Sequence, residues 1–385
     1  MVTLRRRLRI AVLGIKQLPA TGGADRAVEK LLEHGSQSHE YFVYVKRQPA
    51  QPSLGGQNVH YVPIPTVGGK HAGPFVYFLL CTAHYLVRGH YDLAHVHNSD
   101  FGLFCALLRL KRRVPIVGTF QGDPYLRRKW GWFARWYLRL SERCFVQFCD
   151  RLTSASRFKA SARGFWRSQP VTYIPNGVDV NGSNARRPHG TESRFEYAAH
   201  GIAPGAYILF GCGRLDRTKG LHHLLQAYQQ MDRPERLLVV GDFTHDHEYS
   251  SEILTACARD GRIVVHAHLL DRDRFYDVVR NAKVLVFPSE VEAMSLVLLE
   301  AVAARCPVVC SDIPENVEVV GESYPYLYAV HDAVALRDRL LACLDAADRG
   351  RVAQAVYARC AARFGWPGLA AQYESIYQAI GQAAR

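Results

Sequence analysis

The sequence predicts two α/β domains in series, each a doubly wound parallel sheet. Short apolar runs alternate with longer amphipathic stretches from end to end, the βαβ pattern whose natural solution is a parallel sheet. A polar stretch without apolar period, Asn181 to Gly205, interrupts that alternation near its middle. The length of 385 residues gives each half room to bury its own core.

In the first series the apolar runs predict strands from Leu8 to Gly14, Tyr41 to Val45, Val59 to Val62, Leu93 to His97, Pro115 to Phe120, Arg151 to Ser154 and Val171 to Ile174. Helical spacing falls between them at Asp25 to His34, Pro74 to Arg88 and Phe133 to Phe148. The second series offers strands from Tyr207 to Cys212, Arg236 to Val240, Ile263 to His266, Val284 to Phe287 and Val308 to Cys310. Its helices are expected at Leu221 to Met231, Ser250 to Arg259, Arg272 to Ala282 and Ser295 to Ala304. Ligands of such sheets sit beyond the carboxyl ends of the strands, so a cleft between the two domains is the expected active site.

Composition narrows the class. With 48% hydrophobic and 22% charged residues the chain is neither disordered nor collagen-like. No window approaches the ~18 uninterrupted apolar residues of a membrane span; Pro74 to Val87 is cut by His84. The short run Ile10 to Ile15 behind the N-terminal arginines reads as a first strand and not as a signal peptide. Ten cysteines lie mostly inside apolar runs without a Cys-x-x-Cys pair, which predicts buried free thiols in a reducing cytosol. His-x-His pairs at His95/His97, His245/His247 and His266/His268 leave a zinc site open, although structural zinc normally uses Cys and His at stricter spacings. On a strand His95 and His97 share one face, packed or bordering a ligand cleft.

The net charge is +13, and most of it is local: from Arg109 to Arg167 there are 15 Lys and Arg against Asp123, Glu142 and Asp150. Within this stretch Arg128, Arg135, Arg139 and Arg143 recur at helical spacing beside Trp132, Phe133, Trp136, Tyr137 and Leu140. A basic, aromatic helix of this kind suits an anionic lipid surface; the alternative is a solvated helix with its aromatics in the core. No recognised nucleic-acid-binding motif accompanies the charge.

Two constellations carry chemistry. In Phe210-Gly-Cys-Gly-Arg-Leu-Asp-Arg-Thr-Lys-Gly220 a strand is expected to turn through glycines into a helix. Backbone amides, the helix N-terminus, Arg214 and Lys219 there would hold a pyrophosphate, although such a turn is often only a turn. In Phe287-Pro-Ser-Glu-Val-Glu292-Ala-Met-Ser-Leu-Val-Leu-Leu-Glu300-Ala, Glu292 stands ahead of a helix whose first turn its carboxylate could cap. Glu300, among Leu296, Val297, Leu299 and Val302, is costly to bury unless it meets a partner such as sugar hydroxyls.

Together these residues resemble the retaining glycosyltransferases of family 4, which have the GT-B fold. The resemblance lies in Gly213-Arg214-Leu215 with Lys219-Gly220, in Ile174-Pro-Asn-Gly-Val-Asp179 and in Glu292 to Glu300, and continues through Pro314-Glu-Asn316 and Phe364-Gly-Trp366 before a final helix, Leu369 to Ile380. It implies an acceptor-binding Rossmann-like domain at 1–180, a nucleotide-sugar-binding one at 181–362, and a C-terminal helix at 363–385 returning to the first domain. By resemblance Arg214, Lys219 and Glu292 serve catalysis, the first two on the donor diphosphate and Glu292 on donor-sugar hydroxyls. Glu300 would hold the ribose, Gly213 and the amides of Met294, Ser295 and Leu296 would face the donor, and the base would lie near Ala267 to Leu269, His268 included.

Leu18 to Arg26, Phe120 to Gly131 and Tyr137 to Arg143 look like a rhamnosyltransferase subgroup, implying acceptor contacts by Gly22, Gly23, Asp25, His97, Gln121 and Asp123. Many relatives have His or Asp at position 121 and Glu at position 25; glutamine only hydrogen-bonds. Asp25 is alternatively an early-turn helix carboxylate. The expected protein is a cytoplasmic enzyme, peripheral on the inner face of the membrane. It would move a sugar, rhamnose by the subgroup resemblance, from a nucleoside-diphosphate sugar to a lipid-linked glycan during surface polysaccharide synthesis, without cofactor or metal. The alternatives are a small soluble acceptor and a catalytically silent nucleotide-sugar binder. A nicotinamide enzyme is disfavoured because no Gly-x-Gly-x-x-Gly follows the first strand.

Overall fold

The computed structural model describes residues 7–20, 22–47, 56–67, 69, 73–122, 131–157, 170–179, 195–268 and 270–383. Asp123, Arg128 and most of the polar stretch from 181 lie outside them. The chain divides into two compact units, Met1–Asn176 with Trp366–Arg385, and Gly177–Gly365.

The first unit holds a seven-stranded sheet in the order β3-β2-β1-β4-β5-β6-β7, with every neighbouring pair parallel. Its strands are β1 Arg9–Leu13, β2 Glu40–Lys46, β3 Val59–Ile64, β4 Leu93–His97, β5 Ile116–Phe120, β6 Arg151–Ser154 and β7 Val171–Tyr173. The central strands read as continuous apolar runs because helices cover both faces. These helices are α1 Gly23–His34, α2 Gly73–Arg88, α3 Gly102–Leu108 and α4 Trp132–Phe148. Helix α3 was not expected from the sequence; it is short and largely buried, so no amphipathic stripe marks it. Its Gly102 lets it meet α4, since an added Cβ would stand 1.9 Å from the Ser141 carbonyl oxygen.

The second unit repeats the plan with six parallel strands in the order β10-β9-β8-β11-β12-β13. They are β8 Tyr207–Arg214, β9 Arg236–Asp242, β10 Ile263–His266, β11 Val284–Phe287, β12 Val308–Ser311 and β13 Leu327–Tyr328. Strand β13 extends the sheet beyond what the apolar pattern predicts, as a two-residue edge leaves no period to read. Helices α5 Leu221–Gln229, α6 His247–Cys257, α7 Arg272–Arg280 and α8 Leu296–Ala303 lie near the expected spans. Three more, α9 Pro314–Val320, α10 Ala333–Asp345 and α11 Arg349–Phe364, complete the unit. It ends at Gly365 because Val178 bridges to that residue and donates its amide to the Phe364 carbonyl at 2.7 Å.

The last helix, α12 Trp366–Ala383, belongs to the first unit. It packs on α1 and is tied down by buried polar contacts. His39 Nε2 stands 2.9 Å from the Glu374 carboxylate, and the Tyr377 hydroxyl pairs with His95 Nδ1 at 2.7 Å. All ten thiols are free, and nearly all are buried.

Candidate functional site

Each sheet has one place where its winding reverses, between β1 and β4 in the first and between β8 and β11 in the second. Loops leaving such a pair of strands diverge to opposite faces and open a crevice at the carboxyl edge. In both units a left-handed glycine seals the floor of that crevice. Gly14 has φ +83° and Gly220 φ +69°. A Cβ on Gly14 would lie 1.9 Å from the His97 carbonyl oxygen, and one on Gly220 would lie 2.0 Å from that of Pro288. No other residue takes this conformation at so close an approach without strain.

In the second unit the strand expected to end at Cys212 runs on to Arg214 before the chain turns through glycine. Strand β8 pairs with β9 as far as Arg214 opposite Asp242, with an irregularity in register between Gly211 and Arg214. The turn falls at Asp216 to Gly220, where the Asp216 carboxylate accepts the Thr218 amide at 3.1 Å. An added Cβ on Gly213 meets nothing within 4 Å, so the backbone beside the half-buried Arg214 is open to close approach. The loop after β11 is fastened to this turn, for the Glu290 amide donates to the Thr218 carbonyl at 2.8 Å. Ser311 donates its hydroxyl to the Ser289 carbonyl at 2.5 Å from the next strand.

Across the crevice Lys219 Nζ donates to Glu292 Oε1 at 2.6 Å, with only 23% of the lysine and 11% of the glutamate side chain exposed. The expectation that Glu292 caps the following helix is therefore corrected. The cap of α8 is Ser295, whose hydroxyl accepts the Leu298 amide at 3.5 Å, while Glu292 is held by Lys219. Met294, Ser295 and Leu296 are buried at the helix start, where the first amides have no intrahelical partner and carry partial positive charge. Glu300 is buried in the second turn at 7% exposure. His268 is exposed beyond β10, two strands from β8. Burial pushes the neighbouring Cys212 thiol up to about 12 despite the pull of Lys219, so it stays neutral.

In the first unit the crevice holds His97. Its ring lies 3.9 Å from that of His95, is 1% exposed, and neither nitrogen has a hydrogen-bond partner among the described residues. Burial pushes its pKa down to about 3, so the ring is neutral. His95, by contrast, is fully engaged by Tyr377 and by Thr119 at 2.7 Å. Asn98, itself at φ +74°, donates to the Gly14 carbonyl at 3.2 Å and so joins the ends of β1 and β4. Gly22 is the extended residue ahead of α1, and Gly23 opens the helix exposed, with nothing near an added Cβ. Asp25 is buried in the first turn and accepts the Lys16 amide at 3.2 Å. Gln121 follows β5 half-buried, and Asp123 lies outside the described residues.

Of the predicted pairs, His95 and His97 do lie together, whereas the other two do not converge. His245 is taken by Asp242 at 3.0 Å, and the rings of His266 and His268 stand 6.3 Å apart. His222, His223 and His331 instead gather around Glu290. The sequence did not reveal this group because its members lie on a helix start and two loops far apart in the chain; the adjacent pair His222-His223 was its one local sign.

Two parallel doubly wound sheets, each with its crevice at the carboxyl edge and a last helix returned to the first unit, define the GT-B class of glycosyltransferases. Residues 21–181 match the family described as Glycosyltransferase Family 4, and residues 193–358 match Glycosyl transferases group 1. Between them these matches span most of the chain, which belongs to the GT-B glycosyltransferases of family 4.

Among curated relatives, a D-inositol 3-phosphate glycosyltransferase of Xylanimonas cellulosilytica is 31% identical over 214 residues, 54% of this chain and 51% of that protein. An alpha-maltose-1-phosphate synthase of Mycobacterium tuberculosis is 28% identical over 222 residues, 54% of this chain and 57% of that protein. The matched region thus spans about half the length of these relatives. Among solved structures, sucrose-phosphate synthase from Thermosynechococcus elongatus superposes with TM-score 0.80 at 19% identity, covering 98% of this chain and all of that one. Anabaena HepE in complex with UDP-glucose gives 0.74 at 17% identity, covering 97% of this chain and 100% of its own. At these identities the structures speak for the fold.

Proposed function

We propose that this protein is a retaining glycosyltransferase that takes a sugar from a nucleoside-diphosphate donor held by the second unit. The observation that carries the proposal is the Lys219–Glu292 pair at the start of α8, beside the open backbone of Gly213 and Arg214. A diphosphate entering there meets Arg214, Lys219 and the helix amides, and Glu292, released from Lys219, turns to the hydroxyls of the sugar. These cationic groups neutralise the departing diphosphate without a metal in the transfer step. Its oxygen accepts the acceptor hydroxyl proton on the face from which it leaves, so the configuration is retained. Glu300 takes the ribose, and the nucleobase lies by Ala267 and His268.

The acceptor side is the crevice of the first unit, where the unpartnered, neutral His97 offers a hydrogen bond to an incoming hydroxyl alongside Gly22, Gly23, Asp25 and Gln121. A lipid-linked glycan is supported by α4. Trp132, Phe133 and Trp136 are 82%, 63% and 56% exposed, with Arg135, Arg139 and Arg143 exposed beside them. That surface fits an anionic membrane and a peripheral location on its cytoplasmic face. Among the described residues no helix is long and apolar enough to cross the bilayer. The rhamnose assignment rests on the sequence resemblance. A small soluble acceptor is the second reading, favoured by the names of the two curated relatives.

The test is a panel of nucleoside-diphosphate sugars offered with lipid-linked and free acceptors, products being read by mass spectrometry. Arg214→Ala and Lys219→Ala are each expected to lower turnover by about a hundredfold or more with the fold intact. Near-native rates in both would overturn the donor site. Donor binding without any product from the wild type would make the protein a silent binder.

A further inference from the structure

Beside the donor crevice, and on the same edge of the sheet, lies a group that glycosyl transfer does not use. His222 and His223 open α5, Glu290 follows β11, and His331 precedes α10. Three imidazole nitrogens face one carboxylate oxygen: His222 Nε2 at 3.5 Å, His223 Nε2 at 3.2 Å and His331 Nδ1 at 3.7 Å from Glu290 Oε1. His223 Nε2 and His331 Nδ1 are themselves 3.3 Å apart.

Ligands about 2.0–2.1 Å from a tetrahedral zinc ion stand about 3.3–3.4 Å from one another. The three spacings to Glu290 and the one between His223 and His331, from 3.2 to 3.7 Å, are close to four of that tetrahedron's edges. His223 Nε2 also stands within hydrogen-bond distance of both Glu290 Oε1 and His331 Nδ1, and the one proton it can carry serves only one of them. The ligand atoms of His222, His223 and Glu290 lie within 4.8 Å of one another, and the geometry points to a transition-metal site of these three in the second unit, with His331 alongside to complete it, a set suited to Zn²⁺.

The surroundings fit that use. His222 Nδ1 lies 2.9 Å from the Tyr249 hydroxyl, which also accepts the His222 backbone amide at 3.2 Å. An Nδ1–H donated to Tyr249 leaves the Nε2 lone pair directed at the ion, the arrangement that orients metal-bound histidines. The ring of Tyr249 is fixed from the other side by Arg217, whose guanidinium stacks 4.9 Å from its centroid and pairs with Glu252. His331 holds φ +70°, a conformation that directs its side chain from a loop otherwise remote in sequence. Glu290 is already fastened through its amide to Thr218, just ahead of α5, so His222 and His223 at the start of that helix and Glu290 on the loop after β11 approach without chain movement. A bound ion would clamp the loops after β8, β11 and β13 together. It is held by protein groups alone and takes no part in the transfer step.

The experiment is zinc titration of the full chain, stripped of metal beforehand, in competition with a chromophoric chelator. One zinc per chain is expected in the wild type, and Co²⁺ at the same site gives the intense visible bands of a tetrahedral complex. Glu290→Gln and His223→Ala should each weaken zinc by at least about tenfold, and Tyr249→Phe by about tenfold without removing a ligand. His60→Ala, on β3 of the first unit, should leave the affinity unchanged. Absence of saturable binding, weak octahedral cobalt bands, or equal affinity in Glu290→Gln, His223→Ala and wild type would overturn the site and leave only hydrogen bonds around Glu290. The measurement needs no sugar donor, so its outcome is separate from that of the transferase assay.

Discussion

Replacing Gly220 by alanine tests how the donor crevice is built. The new Cβ would lie 2.0 Å from the Pro288 carbonyl oxygen, 2.9 Å from its carbon and 3.2 Å from the proline Cβ. Relief to ordinary contact requires the loops after β8 and β11 to part by more than about 1 Å, because the obstacle is backbone and cannot rotate away. The left-handed conformation itself costs a non-glycine residue about 1–2 kcal/mol, and forced displacement of packed groups typically adds about 1–3 kcal/mol. A loss of about 3 kcal/mol corresponds to roughly 6–12 °C in melting temperature for a unit of this size, measured by calorimetry. The same parting separates Lys219 from Glu292, and misplacement by about 1 Å predicts a fall in turnover near a hundredfold. Gly213→Ala is the companion, since its Cβ meets nothing: stability should hold while donor affinity drops. A Gly220→Ala protein that melts and turns over like the wild type would refute the reasoning.

Three further outcomes are expected. Glu300→Ala should mainly weaken donor affinity, read by calorimetric titration with the nucleotide sugar; unchanged binding removes it from the site. Burial holds the His97 pKa near 3 in the folded state, so the unfolded chain binds the extra proton first as the medium becomes acidic. Stability is then full above about pH 6.5 and declines toward pH 3 by a few kcal/mol, and His97→Leu should flatten that slope in urea unfolding followed from pH 7 to 4. Trp132→Ala and Trp136→Ala should each lower partition onto anionic vesicles, about 2 kcal/mol or 30-fold apiece if the rings insert. Equal flotation of both variants and the wild type would remove α4 from the membrane reading.

All strands but the two-residue β13 were legible in the sequence because buried parallel strands favour apolar runs, as in residues 10–13 and Val284–Phe287. Helices α3 and α9 escaped prediction because each is only seven residues long; α10 and α11, of 13 and 16 residues, lie beyond the last predicted strand, where no βα alternation marks them. Arg214, Lys219 and Glu292 could be singled out because they sit in local motifs beside strand ends, but their order on the chain does not say which groups meet. Pairing with Asp242 draws Gly213 into the strand, and Lys219 claims the carboxylate expected to cap α8.

The sequence by itself determined the α/β class, the two-part division and the stretches that supply the crevices, since all of these follow from local periodicity and composition. The tertiary structure alone decided the contacts between distant loops. It buried His97 with neither ring nitrogen partnered among the described residues, turned Trp132 and Trp136 to solvent, and brought His331 to within 3.3 Å of His223 across 108 residues of chain. The physical reason is the parallel sheet, which returns every strand's carboxyl end to one edge and so assembles side chains that no spacing in the sequence relates.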